Sequence, residues 1–419
     1  MSLPRGFRDY FPEEFEILEF IRDKFVRRCT LYGFRLMEPS TLESLEVLEA
    51  KSGPSIREEI YFFRDKGGRD VGLRFDLTVG LTRYACSKRD LPLPIKLASF
   101  ADVWRYDEPQ RARYRWFYQW DVETYGPKGP EADAEIISFT KGMFEDVGLK
   151  DVQIKLGDRR MVQKLVEDVT GLKNSKVLEL MRMLDKMDKK EKDALIKEYS
   201  AKGFSLQQIE EVLKLGVVEG DLNVMLSRFG EGSVPEGLRT LSEILKELEI
   251  KFTISIKVVR GLDYYTSYVF EVFDGSNLEL GALAGGGRYD ILPSIFGRPE
   301  IGATGIAGGV ERLILALRQK KFSLLQLPTI YVAYIRGLEK EAFKLVEELR
   351  NYGFRAIVDV SRRSLSKQLE EADRIGSLCS ILILPSEFKE EKVIVKDMRK
   401  KFEVKVEVKR LVDFLKDHI

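Results

Sequence analysis

The sequence predicts an α+β protein in two parts. A core of strands and helices spans residues 1–322, carries a helical insertion at about 158–247, and is followed by a small α/β domain at 327–419. Three observations support this. Paired segments with twofold alternation occupy residues 60–125; Lys/Glu-rich helical patterns such as NSKVLELMRMLDKMDKKEKDALIKEY interrupt the strands; and from Thr329 strands and helices alternate. A chain of 419 residues is also too long for one ordinary core.

The first element is a helix after Pro12, with apolar residues at Phe15, Leu18, Phe25 and Cys29 and a stop at Gly33. The short strand FRLMEP follows. Residues Ile60 to Asp76 read as two strands joined by the turn DKGGRD, and a helix starts at Thr78. A second strand pair runs from Ile95 to Tyr106 and from Arg113 to Tyr125 around the polar loop DEPQRA. Beyond the insertion, KFTISIKVV resumes a strand and GATGIAGG leads into the helix ERLILALRQKK. The GxxxxGK(S/T) loop is absent; glycine-rich LAGGGRYD is by itself a weak sign of a nucleotide loop and reads more plainly as a turn needing positive φ, and SLLQLP reads as a linker. The last domain reads as TIYVAYI, a helix, RAIVDV, a helix, SILILP, KVIVKDM, FEVKVEV and a final helix, which predicts a largely parallel sheet.

Composition narrows the chemistry. The 69 basic and 68 acidic residues leave a net charge of +1, so a polyanionic partner must be met by local patches. Cys29, Cys86 and Cys379 are too few and too scattered for a disulfide framework or a zinc knuckle, which fits a reducing, cytoplasmic setting. MSLPRGFRDYFPEE has no apolar signal core, and no stretch approaches the roughly 20 apolar residues of a membrane span. The only histidine, His418, stands next to the C-terminus, so histidine-based nucleophilic or metal chemistry is nearly excluded.

Chemistry concentrates in SFADVWRYDEPQRARYRWFYQWDVETYG. Strand periodicity puts Arg113, Arg115, Phe117, Gln119, Asp121 and Glu123 on one face and Tyr114, Trp116, Tyr118, Trp120 and Val122 on the other. A solvated outer face is the plain alternative. Against it stand the aromatic Phe117 within a charged row, the order of cations then anions, and Arg105 beside the same loop. That order suits a ligand with a polyphosphate end, a flat middle and an ammonium end. In GATGIAGGVERL, glycines precede a helix carrying Arg312, which suits a terminal phosphate or simply a tight turn. Arg260 continues the parity of Phe252, Ile254, Ile256 and Val258 and so points where a core residue would sit. It serves either a structural ion pair or a ligand.

Together these segments resemble the class II aminoacyl-tRNA synthetases. Arg105, the loop, Arg113, Phe117 and Asp121 match motif 2; GIAGGVERL matches motif 3; residues 14–39, closing on Pro39, match motif 1 more loosely. RGLDYYTSYVFEV, AGGGRYDIL, PRGFRD, LRFDLT and LDKMDK are similar to segments of the histidyl-tRNA synthetase family. The resemblance spans essentially the whole chain, and Asp76 in LRFDLT looks like the archaeal and eukaryotic branch. It implies an antiparallel sheet flanked by helices and a C-terminal anticodon-binding domain.

By motif position the resemblance implies that Arg105 and Arg260 are catalytic. Arg105 would hold the α-phosphate of ATP, Phe117 would stack on adenine, and Arg113 and Arg312 would hold the β- and γ-phosphates, with Mg2+ accompanying ATP and no tightly bound cofactor. Asp76, Thr78 and Gln119 match positions for the α-amino group of histidine; Glu123, Tyr264 and Tyr265 match the imidazole pocket; Arg105 and Arg260 face the reacting carboxylate. A carboxylate and a phenol meet the donor and acceptor nitrogens of one imidazole. Gln110 and Arg111 match the loop that meets the acceptor end of tRNA(His). Arg355, Arg362, Arg363, Lys367 and Arg374 offer an anticodon-side patch, or an ordinary charged face. The loop departs from the family in having Ala112 before Arg113, and Ile291 follows RYD where glycine is common. The expected activity is histidine–tRNA ligation by a homodimer without a membrane anchor. The alternative is a non-catalytic paralogue regulating histidine biosynthesis.

Overall fold

The computed structural model describes residues 2–108, 114–188, 190–259, 264–320, 322, 328–400 and 402–418. The chain divides into two compact units, Met1–Phe322 and Ser323–Ile419.

The first unit opens with α1 (Pro12–Leu31), which has proline in its first turn beside Glu13 and Glu14, as the exposed amides and the helix dipole favour. Its buried stripe is Ile17, Leu18, Ile21, Phe25 and Cys29, each worth roughly 1.5–3 kcal/mol when removed from water. Phe15, expected on that stripe, is instead 44% exposed. Gly33 follows the helix at φ +72°, a conformation a side chain would strain.

Twelve strands follow among the described residues: β1 (Arg35–Leu36), β2 (Leu42–Ser44), β3 (Phe62–Arg64), β4 (Asp70–Leu73), β5 (Ile95–Trp104), β6 (Trp116–Gly126), β7 (Val152–Asp158), β8 (Glu219–Gly220), β9 (Phe252–Ser255), β10 (Tyr268–Asp274), β11 (Ala284–Arg288) and β12 (Gly302–Gly309). Nine of them form one sheet in the order β1-β5-β6-β12-β11-β10-β7-β9-β8; β2, β4 and β3 form a small second sheet. The pairings from β5 through β6, β12, β11 and β10 to β7 are all antiparallel. β1 and β9 join in parallel.

The helices alongside are α2 (Leu45–Ser52), α3 (Thr78–Ser87) and α4 (Glu131–Asp146). Six more, α5 to α10, lie between Arg159 and Glu247, the stretch where the sequence predicts an insertion; α11 (Ile291–Ile295) and α12 (Val310–Gln319) complete the unit. Local signals start the insertion's helices: Asp158 caps α5 (Arg159–Thr170) by accepting from the amides of Arg160 and Met161, and Ser205 with Gln208 forms a capping box at α8 (Leu206–Gly216). One face of β6 packs against helices through Trp120, whose ring meets Phe25 of α1 and Phe144 of α4 at 5.9 and 6.1 Å. That leaves its other face for a site. No helix among the described residues is long and apolar enough to cross a membrane.

Two expectations change here. The strand of KFTISIKVV ends at Ser255 and a turn follows, so the alternation does not run on to 258 and cannot place Arg260, which lies outside the described residues. Within LAGGGRYD, Ala284–Arg288 is strand β11 rather than a turn, because its glycines lie between β10 and β12.

In the second unit five strands, β13 (Thr329–Tyr334), β14 (Arg355–Val358), β15 (Cys379–Ile383), β16 (Lys392–Asp397) and β17 (Phe402–Glu407), are ordered β14-β13-β15-β16-β17. β13 pairs in parallel with β14 and β15, whereas β15, β16 and β17 pair antiparallel. The sheet is therefore mixed, not largely parallel: the connections leading into β16 and β17 are too short for a crossover. Its core joins Ile330, Val332 and Ile381 of the strands to Leu345, Leu349 and Leu411 of the helices.

Candidate active site

The free face of β6 opens into a cavity of about 350 Å³, lined by Lys51, Asp76, Thr78, Arg105, Asp107, Phe117, Gln119, Glu123, Tyr264, Tyr265, Tyr289, Glu311 and Arg312, and by residues 282–285 and 305–309. Register explains why there is room. Gly305, Ala307 and Gly309 of β12 lie opposite Glu123, Asp121 and Gln119, and Gly287 and Gly285 of β11 lie opposite Gly305 and Ala307. Directly paired residues share a face, so three adjacent strands carry polar side chains on one and almost none on the next two.

At one end, carboxylates and hydroxyls converge. Gln119 Nε2 donates to Asp121 Oδ1 at 2.8 Å, Thr78 Oγ1 donates to Asp121 Oδ2 at 3.2 Å, and Tyr289 donates to Glu123 Oε2. Asp76 accepts from Lys51 Nζ at 2.7 Å and from the amide of Val79 at 3.2 Å. Tyr264 and Tyr265 pack with ring centroids 4.2 Å apart. Burial pushes the Asp121 carboxyl up, aided by Asp76 and opposed by the Gln119 amide and Lys51. Burial also raises Glu123, with Asp121 adding to it against the Tyr289 and Thr78 hydroxyls. Burial works against the Lys51 ammonium, yet Asp76 and Tyr264 outweigh it and hold its pKa above that of an ordinary lysine.

Arg105 stands between this end and Phe117. Its Nε donates to the carbonyl of Phe75 at 2.8 Å, its Nη2 donates to Gln119 Oε1 at 3.2 Å, and its guanidinium lies 5.2 Å from the Phe117 ring centre. Arg312, on α12, donates from Nη1 to the carbonyl of Ala282 at 2.7 Å. Its neighbour Glu311 accepts from the amide of Tyr118 at 2.9 Å and from the Tyr10 hydroxyl, and burial raises its pKa against those two bonds.

The cavity thus gathers Asp76, Thr78, Arg105, Phe117, Gln119, Glu123, Tyr264, Tyr265 and Arg312. Arg113, Arg260, Gln110 and Arg111 lie outside the described residues. Arg115, read on the same row, turns away: its Nε donates to the carbonyl of Asp107 at 3.1 Å and its guanidinium covers the Tyr106 ring at 3.9 Å. In the second unit, Arg363 pairs with Asp359 and Arg374 with Glu371, so these two are engaged within the unit.

Sequence reasoning assigned no role to Lys51, Tyr289 or Glu311. Tyr289 and Glu311 sit inside quoted motifs and were within reach of a signal. Lys51 sits in an ordinary helical pattern, and only the fold brings it to Asp76. Among the described residues no group of three or more His, Cys, Asp or Glu side chains converges as a metal-ligand set.

Comparison with known proteins agrees with the geometry. Residues 6–313 match the family model of histidyl-tRNA synthetase and residues 329–418 that of an anticodon binding domain. The histidine–tRNA ligase of Pyrococcus furiosus is 33% identical, over 99% of this chain and 98% of its own length; that of Pyrobaculum islandicum is 35% identical, over 96% and 94%. The fold is shared with a crystal structure of histidyl-tRNA synthetase from Nostoc, with TM-score 0.83 and 24% identity over 100% of this chain and 99% of that one. It is also shared with an ATP phosphoribosyltransferase regulatory subunit/histidyl-tRNA synthetase from Bacillus halodurans, with TM-score 0.73 and 24% identity over 88% and 96%. Matched over most of its length by the family model and end to end by these ligases, the chain belongs to the histidyl-tRNA synthetase family of class II aminoacyl-tRNA synthetases.

Proposed function

We propose that this histidine–tRNA ligase carries out both half-reactions in the cavity on β6, within a catalytic domain of residues 1–322, and reads tRNA(His) with residues 327–419. Asp76, Thr78 and Gln119 receive the α-ammonium of L-histidine, and Glu123 with Tyr264 and Tyr265 receives the imidazole. Phe117 stacks on adenine, Arg105 holds the α-phosphate, and Arg312 with Arg113 holds the β- and γ-phosphates. Arg260 serves the substrate carboxylate and the α-phosphate. The observation that carries this reading is that amino-acid-type and nucleotide-type side chains line one 350 Å³ cavity, with Arg105 bonded to Gln119 between them.

A histidine carboxylate oxygen attacks the α-phosphorus, the bond to the β-phosphate breaks, and pyrophosphate leaves. Charge grows on the nonbridging and leaving oxygens, where fixed guanidiniums stabilise it without moving a proton. A hydroxyl of the terminal tRNA ribose then attacks the acyl carbon, the acyl carbon–oxygen bond to phosphate breaks, and AMP departs as the hydroxyl proton passes to a phosphate oxygen. Mg2+ enters with ATP as part of the substrate and neutralises its phosphates; this ion keeps much of its water and needs no all-protein cage. Gln110 and Arg111 belong to the acceptor-end loop. A symmetric homodimer acting in the cytoplasm completes the reading.

Histidine-dependent exchange of labelled pyrophosphate into ATP, followed by charging of tRNA(His), tests it. Both activities are expected. Folded protein without exchange would overturn the assignment and favour the regulatory paralogue, a reading that the likeness to the Bacillus halodurans structure raises on fold alone.

A further inference from the structure

Lys51 has no part in the roles above, yet its side chain, only about 10% exposed, forms part of the cavity wall. It sits in the last turn of α2, just before Gly53, whose φ of +72° ends the helix. Leu45 and Leu48 of α2 share a small core with Ile56, Ile60, Phe75 and Val79. Phe75 and Val79 flank Asp76, so one packed cluster fixes both the helix that carries the lysine and the segment that carries the carboxylate.

The ammonium of Lys51 reaches two groups. It donates to Asp76 Oδ2 at 2.7 Å, and it lies 4.5 Å from the centre of the Tyr264 ring, a cation–π distance. Asp76 Oδ1 accepts from the Val79 amide at 3.2 Å. A carboxylate offers about four lone-pair directions. Lys51 and Val79 each take one, and what remains is a restricted set of directions for a second ammonium. Lys51 also faces Asp121 and Glu123, the other carboxylates at this end, and offsets part of their crowding.

We propose that Lys51 is a positioning residue for the amino acid: a resident cation that keeps the Asp76 carboxylate aimed, and that ties this ammonium subsite to the aromatic wall formed by Tyr264. Without it, Asp76 would be a buried carboxylate held by one amide and free to rotate away from the cavity. The loss would fall on the α-ammonium of histidine and not on the nucleotide.

This inference rests on the assignment of the cavity to histidine. The test compares the parent with Lys51→Met and Lys51→Arg in pyrophosphate exchange, measuring KM for histidine and for ATP. Inhibition by imidazolepropionate, which has the ring and carboxylate but no amino group, is measured alongside. Lys51→Met is expected to raise KM for histidine about tenfold or more, as removal of a charge-assisted contact does. KM for ATP should stay within about twofold, imidazolepropionate should lose much less affinity than histidine, and Lys51→Arg should lie closer to the parent. An unchanged or lowered KM for histidine would overturn the role, as would a parallel rise for histidine and ATP, an equal loss for imidazolepropionate, or an Arg variant no better than Met. A parent without exchange would instead overturn the assignment of the cavity.

Discussion

Gly305 and Glu123 lie opposite each other in the β12–β6 ladder, and the space a Cβ at 305 would need is filled by the Glu123 carboxylate. The carbonyl of Val122 lies 2.6 Å from the same point, so backbone closes the other way out. Gly305→Ala is therefore expected to displace Glu123 from the proposed imidazole subsite. KM for histidine in pyrophosphate exchange should rise by about 10²-fold, while stability falls by about 1–3 kcal/mol from overpacking. Thermal unfolding and exchange kinetics on the same sample separate the two effects.

Asp121 and Glu123 are carboxyls whose folded pKa values stand above those of the unfolded chain. Such groups hold protons in the folded state that the unfolded state has released. Their effect on stability is thus absent below the unfolded value near 4 and becomes destabilising as pH rises toward the raised folded values. The substrate-free protein is expected to lose Tm between about pH 5 and pH 8, and Glu123→Gln should flatten that slope. Paired, half-buried carboxylates such as Glu198, lowered by its bonds to Lys186 and Lys190, act in the opposite sense at acid pH. The difference between parent and variant isolates the buried pair. Parallel Tm profiles would contradict the coupling.

Tyr10 donates to Glu311, and Glu311 precedes Arg312 at the start of α12. Removing that hydroxyl leaves the carboxylate with the Tyr118 amide and loosens the helix end that carries Arg312, the arginine proposed to hold phosphate. Tyr10→Phe is expected to raise KM for ATP by up to about tenfold, roughly 1.4 kcal/mol or less, with KM for histidine nearly unchanged. Steady-state exchange with each substrate varied in turn measures both.

Arg260 is expected to act mainly as charge develops on the α-phosphate. Arg260→Ala should slow adenylate formation by about 10²-fold or more while ATP affinity changes less. Single-turnover kinetics set against equilibrium ATP binding would reveal the split, and equal losses in rate and binding would point to a structural role.

Local repetition was legible along the chain. Twofold alternation along β6 put Phe117, Gln119, Asp121 and Glu123 on one face, and helical spacing placed α1 and the insertion's helices. The motifs supplied the family, because they hold residue types that their chemistry requires at fixed offsets. Pairing between distant segments was not legible there. Lys51 meets Asp76, Tyr289 meets Glu123 and Tyr10 meets Glu311 across 25, 166 and 301 positions, and no local period encodes such contacts. The glycines of β11 and β12 carry no side-chain pattern, so their purpose appears only once register sets them beside the polar row. The mixed sheet of the second unit was partly within reach, since the four residues between β16 and β17 allow a hairpin and no crossover. Periodicity reports which side of an element is buried. Which elements meet depends on packing and chain closure, and there the three-dimensional fold decides.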